Sequence, residues 1–222
     1  MKAGFFRRLL STIIDLILVF GFIYLSFVAI GRSVLQDKIE NYDEVNTRYS
    51  EIMDVYNSNL EQIQREYEAE IELAGEDQEL KDLAFENYLS RSNVLNHQNL
   101  IDVAPYNLPL GIYFTNVIYY YVLIFLIVMS IYTIALKGAT IGRRLLRLKL
   151  VGPVNYLSVF LHDIAFKYLL IIALMVINPL FSIMVLMFMG LVDTGLIAGT
   201  RNKNTIRDMV SKIQIEKIDY NY

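Results

Sequence analysis

Residues 4–20, G-F-F-R-R-L-L-S-T-I-I-D-L-I-L-V-F, constrain this chain more than any other stretch. They open an apolar run that continues to about Ile30. At ~1.5 Å of rise per residue such a run crosses a ~30 Å hydrocarbon layer with some tilt. One carboxylate, Asp15, lies inside it. An ionised acid in hydrocarbon costs ~2.5–3.5 kcal/mol even on lenient insertion scales, so Asp15 needs a reason to be there. Arg8 lies two helical turns earlier on the same face, ~10.5 Å away along the axis. That is long for a direct ion pair. The expectation is that Arg8 reaches back to the headgroups and Asp15 takes partners from other helices.

The rest of the chain fits a membrane protein. It is 55% hydrophobic, and the apolar residues are gathered into long runs. Mean hydropathy is +0.40. The first run lacks a convincing cleavage site, so a retained span is expected rather than a removed signal peptide. The formal net charge of −3 conceals a division. Residues 37–102 hold 17 Asp/Glu against 5 Lys/Arg, and the remainder holds 6 against 15. An acidic water-facing segment is therefore expected between basic membrane segments. There is no cysteine, which excludes disulfides and thiolate metal sites.

In chain order, the first span is read over residues 5–30. Lys2, Arg7 and Arg8 ahead of it put the N-terminus in the cytoplasm by the positive-inside rule, with Arg32 as a mild exception. Over residues 35–74 the apolar positions step by three and four, from Ile39 and Tyr42 through Tyr49, Tyr56 and Tyr67 to Ala74. That spacing predicts one long amphipathic helix. Gly75 predicts its end, and Leu80, Leu83, Phe85, Tyr88 and Val94 a shorter returning helix. Pro105 and Pro109 are read as breaks before a second span over residues 110–136. Arg143, Arg144, Arg147 and Lys149 mark a cytoplasmic loop, in which Leu146, Leu148 and Leu150 alternate as in a strand. Its glycines match neither phosphate-loop pattern, and no nucleic-acid partner is expected. The break at Asn178-Pro179 divides residues 157–177 from 180–199 as the third and fourth spans. A basic tail with Arg201, Lys203, Arg207, Lys212 and Lys217 returns the chain to the cytoplasm, and Ile213 and Ile215 suit a strand pairing with Leu148 and Leu150.

The expected architecture is an all-α membrane protein. It is a four-span transmembrane helical bundle with an extracytoplasmic helical hairpin between spans 1 and 2 and a small cytoplasmic β pairing. Residues 1–34 carry the first span, 35–104 the acidic coiled-coil-like insert, and 105–222 the other spans, basic loop and tail.

Four stretches resemble the RDD family of small bacterial membrane proteins. F-F-R-R-L-L-S-T-I-I-D matches the family's opening through Arg8 and Asp15. G-A-T-I-G-R-R-L-L-R-L-K-L-V is similar to its cytoplasmic motif through Thr140, Gly142, Arg143 and Arg144. L-S-V-F-L-H-D resembles the opening of its next span, with His162 in place of arginine. N-K-N-T-I-R-D-M-V-S-K-I-Q-I resembles its closing motif through Asp208, with Arg207 in place of histidine. The resemblance covers about 130 residues, with the four stretches in the expected order, and the acidic insert is outside it. The resemblance implies a multi-pass protein of the bacterial cytoplasmic membrane and transport of an unspecified ligand.

The residues add a second line. Counting ~1.5 Å per residue, Asp15, Asp163 and Asp193 fall ~9–10 Å inside the cytoplasmic edge on three different helices. His162 adjoins Asp163, and Lys167 is one turn deeper. Intramembrane ionisable groups face a bundle interior or wet cavity and pair with each other. This predicts an exchange site for protons or monovalent cations, with Asp15 and Asp193 as carriers or ligands. The structural alternative pairs Asp163 with Lys167 and Asp15 with Arg8 or Arg207. His162 is a poor metal ligand, because the second histidine, His97, falls on the opposite side of the membrane. No cofactor is implied, and no Ser/His/Asp or Cys/His arrangement points to an enzyme. A different function remains open: a non-transporting anchor or scaffold whose acidic helices dock a partner or a second copy through Tyr42, Tyr49, Tyr56 and Tyr67.

Overall fold

A computed structural model describes residues 2–199 and 204–218. Arg201 and Lys203, counted above in the basic tail, lie outside the described residues. Among the described residues four helical stretches are long and apolar enough to cross a membrane: Phe5–Gln36, Gln78–Ala135, Tyr156–Ile177 and Pro179–Gly199. Large apolar side chains such as Phe6, Ile17, Phe22, Leu25, Ile131, Met187 and Leu191 stand exposed on them. Water would penalise that surface and a lipid tail does not.

The elements run α1 (Phe5–Ser26), a π-helical turn at Phe27–Gly31, α2 (Arg32–Gln36), α3 (Tyr42–Ala74) and α4 (Gln78–Ala135). There follow α5 (Ile141–Leu145), β1 (Leu148–Val151), α6 (Tyr156–Phe160) and a π-helical stretch at Leu161–Leu169. The chain continues as α7 (Leu170–Ile177), α8 (Pro179–Gly199), α9 (Ile206–Ser211) and β2 (Gln214–Lys217). The break between α7 and α8 is where expected. Asn178 is extended (φ −155°, ψ 106°), and its side chain accepts from Phe181 N–H at 3.0 Å to open α8.

One expectation fails. Pro105 and Pro109 do not separate a returning helix from the second span, because α4 runs through both as a single 58-residue helix. Each proline removes one N–H and crowds the carbonyl four residues earlier. Spaced by four, the two fall on one face, so the defect is local, and Pro105 is at an exposed position.

The chain divides into two compact units, residues 30–118 and the remainder. Within residues 30–118, α3 lies antiparallel to the first part of α4. Tyr56 donates to Asn96 at 2.6 Å, Arg91 pairs with Glu66 at 2.5 Å, and Tyr67 stacks on Tyr88 at 4.9 Å. Tyr42 meets Tyr113 at 4.7 Å. Tyr42, Tyr56 and Tyr67, three of the four tyrosines expected as a docking seam, are thus half-buried against the chain's own helix.

In the other unit, Val19, Ile23, Phe125, Met129 and Ile164 form the apolar core between α1, the end of α4 and the π-helical stretch. The alternating Leu148/Leu150 and Ile213/Ile215 patterns are borne out as an antiparallel pair, Leu150 opposite Ile215 and Leu148 opposite Lys217. Ala3 N–H donates to Ile215 carbonyl at 3.0 Å, and Ala3, Leu148 and Ile215 close a small second core. The start of α1, the loop after α4 and the tail are thereby gathered at one end of the bundle.

Candidate functional site

The site is built from the ends of helices, where backbone N–H groups lack intrahelical partners. Gly138, at φ +74°, turns the chain out of α4. Thr140 then caps α5: its hydroxyl accepts from Arg143 N–H at 3.4 Å and donates to Asp15 at 2.7 Å. Asp15 also accepts from Gly142 N–H at 2.8 Å and from the Tyr132 hydroxyl at 2.7 Å. That hydroxyl in turn accepts from Ile141 N–H at 2.7 Å. The buried carboxylate therefore sits on the open N-terminus of α5, ringed by three donors. Gly142 is required by the close approach. A Cβ there would overlap the Ser11 carbonyl of α1 and lie 3.0 Å from the Asp15 carboxylate.

Arg143, the next residue, points the other way. Its guanidinium grips Asp163 with two nitrogens, one at 2.7 Å, and donates to Gly138 carbonyl at 2.7 Å. Burial opposes the Arg143 charge, but the Asp163 and Asp15 carboxylates outweigh it and raise its pKa above the ordinary value. Arg144, equally basic in sequence, is exposed and only bonds Ala139 carbonyl at 2.8 Å. A fork-shaped cation on a carboxylate is the strongest of the neutralising geometries.

His162 and Asp163 lie on the π-helical stretch Leu161–Leu169, and both are buried. Such wide turns are rare and concentrate at functional sites. His162 Nδ1 contacts Asp163 at 2.7 Å, and its Nε2 contacts Asp208 at 2.8 Å. Asp208 is fixed by the capping box of α9. It accepts Thr205 N–H at 3.0 Å, and its own N–H donates to Thr205 Oγ1 at 3.2 Å. Its second partner is Arg8, at 2.5 Å. Arg8 also donates to Ala3 carbonyl at 3.1 Å, so the head of α1 is tied to the tail. Burial raises the Asp208 pKa, but His162, Arg8 and the Thr205 N–H outweigh it and hold it well below the usual carboxylate range.

The result is one buried chain of contacts, Arg143–Asp163–His162–Asp208–Arg8. An ionised carboxylate only accepts, and a neutral imidazole donates from one nitrogen alone. Filling both His162 contacts therefore takes two protons.

Several expectations change against this geometry. Arg8 does not reach for headgroups; it is 4% exposed and paired with Asp208. Asp163 pairs with Arg143 rather than Lys167, whose Nζ donates instead to Thr12 at 2.8 Å. Asp15 holds neither Arg8 nor Arg207. The three acids do not converge either. Asp15 and Asp163 belong to different sets of donors, and Asp193 accepts from Ile206 N–H at 3.0 Å, capping α9. Among the described residues no cluster of three His, Asp or Glu is arranged to hold a metal. Tyr132 was missed. It is 117 positions from Asp15, and no spacing rule connects them.

Beside the network is a cavity of about 240 Å³, lined by Arg8, Thr12, Lys167, Asp193, Thr205 and Arg207 with apolar walls from Phe5, Leu9, Leu186 and Met189. A second gap, of about 10 Å³, lies between Asp15, Arg8, Arg143, Lys167 and Arg207 and is the size of about one water. No protein-family model, curated protein or solved structure matches the chain.

Proposed function

We propose that the chain is a multi-pass transporter similar to the RDD family, in which the Asp163–His162–Asp208 bridge carries protons. The observation behind this is that His162 has a carboxylate on each ring nitrogen, at 2.7 and 2.8 Å, inside a membrane helix. Buried acid–base groups in transmembrane segments mark proton and ion paths. The cavity of about 240 Å³ reaches Arg8 on one side of Asp208, so the bridge has an adjacent space from which protons arrive. Of the residues carrying the family resemblance, Arg8, Asp15, Thr140, Gly142, Arg143 and Asp208 belong to this network or to its Asp15 anchor, while Arg144 lies outside it. In this reading both termini and the sheet are cytoplasmic and the acidic unit is outside, as the basic loop and tail require. A monovalent cation as exchange partner has less support, because the wall of the cavity carries more bases than acids.

A scaffold reading keeps one observation in its favour: residues 30–118 form a compact unit of their own. Against it, Tyr42, Tyr56 and Tyr67 of the seam are already used within that unit.

The test is the purified chain in liposomes with a pH-sensitive dye inside and an imposed sodium or potassium gradient. Wild type should move protons, and His162→Gln, which cannot relay one, should fold and not move them. Equal signals from wild type, His162→Gln and empty liposomes would leave the scaffold reading.

A further inference from the structure

The geometry points to a binding site for a phosphate-bearing amphiphile in the cavity between α1, the π-helical stretch, α8 and α9. Among the described residues, the ion pairs of the buried network include neither Lys167 nor Arg207. Both of these line the cavity, where Asp193 is the one acid among the described wall residues, and Asp193 is already engaged by Ile206 N–H. Among the described residues Lys167 has one hydrogen-bond acceptor, Thr12 Oγ1, for its three donors, with the Tyr168 ring centre 5.0 Å from its Nζ. Arg207 Nε is buried without a partner among the described residues. A buried guanidinium nitrogen left unsatisfied is costly, and its usual relief is an oxyanion.

The chemistry of the walls selects the class of anion. A guanidinium and an ammonium facing one space suit the several acceptor oxygens of a phosphate monoester. The remaining wall, Phe5, Leu9, Phe166, Leu186 and Met189, offers side chains that are apolar. A free inorganic ion would leave that wall against water, whereas an ester chain covers it. Basic pockets between membrane helices collect acidic headgroups for the same reason. The shared chemistry is thus a phosphate monoester with an apolar tail, supplied by a membrane lipid or by a solute. This does not depend on proton movement, because binding needs no gradient.

The full chain in phosphatidylcholine nanodiscs gives the test, with thermal unfolding read as inorganic phosphate is added or as phosphatidic acid is included in the disc. Phosphatidic acid should raise the midpoint; a rise with inorganic phosphate as well would assign a free solute, and without it a lipid. Arg207→Gln and Lys167→Met should each weaken the response about tenfold, and Arg207→Lys should retain most of it. Lys167→Met leaves α9 untouched, so the comparison survives if Arg207→Gln fails to fold. A wild type indifferent to both probes, or variants responding as wild type does, would overturn the site.

Discussion

Arg8 and Asp208 stand 200 positions apart and meet as a buried ion pair at 2.5 Å. The pair joins the head of α1 to the first turn of α9, and through His162 to the middle of the bundle. Each member also makes backbone contacts, so neither is free to turn away from the other.

Removing one partner should therefore cost more than removing both. Arg8→Met or Asp208→Asn alone upsets the charge balance of a buried site, and each should cost ~3–5 kcal/mol. The double substitution should recover part of that loss. Unfolding in detergent measures all three, and equal losses in single and double variants would contradict the coupling.

Gly142→Ala tests the contact between α1 and α5. The added methyl meets the Ser11 carbonyl and the Asp15 carboxylate, so α5 must move off its anchor. A loss of ~1–3 kcal/mol is expected, as for overpacking of a tight interface. Ala at Gly4, where no atom is near, is the control and should be neutral.

Asp15→Ala removes the acceptor of three donors. Each buried donor left unsatisfied costs ~1–3 kcal/mol, so the fold should weaken markedly. Asp15→Asn keeps one acceptor oxygen and should fall between Ala and wild type. If Asn equals wild type in stability, the charge at Asp15 has no structural part.

The Asp208 pKa is lowered on folding, which fixes the sign of one pH effect. A carboxyl with a depressed folded value contributes stability that is complete above its unfolded value, ~3.9, and is lost as pH falls further. Wild type should lose thermal stability below about pH 4, and Asp208→Asn should lose less over the same range. Parallel pH curves for the two proteins would assign the loss to other acids.

The orientation makes a separate prediction. With the acidic unit outside, a cysteine placed at Ser58 should react with an impermeant thiol reagent on whole cells, and one at Lys149 should not. Labelling at position 149 alone would invert the topology.

The sequence by itself determined four membrane-length apolar runs, the acidic insert, the break at Asn178-Pro179 and the pairing of the Leu148 and Ile215 strands. These follow from local composition and from periods of two and 3.6, which depend on neighbours in the chain. It also singled out Asp15, Asp163 and His162 as intramembrane ionisable residues, and the family resemblance pointed to Arg8 and Asp208. Which partners they take was decided only in three dimensions. Asp15 is held by Tyr132 and Thr140, 117 and 125 positions away, and Asp163 takes Arg143 instead of the nearer Lys167. The physical reason is that a buried charge selects whichever donor the packing brings within about 3 Å. In this bundle the β1–β2 pairing and the capped ends of α5 and α9 set those approaches, and no spacing along the chain encodes them.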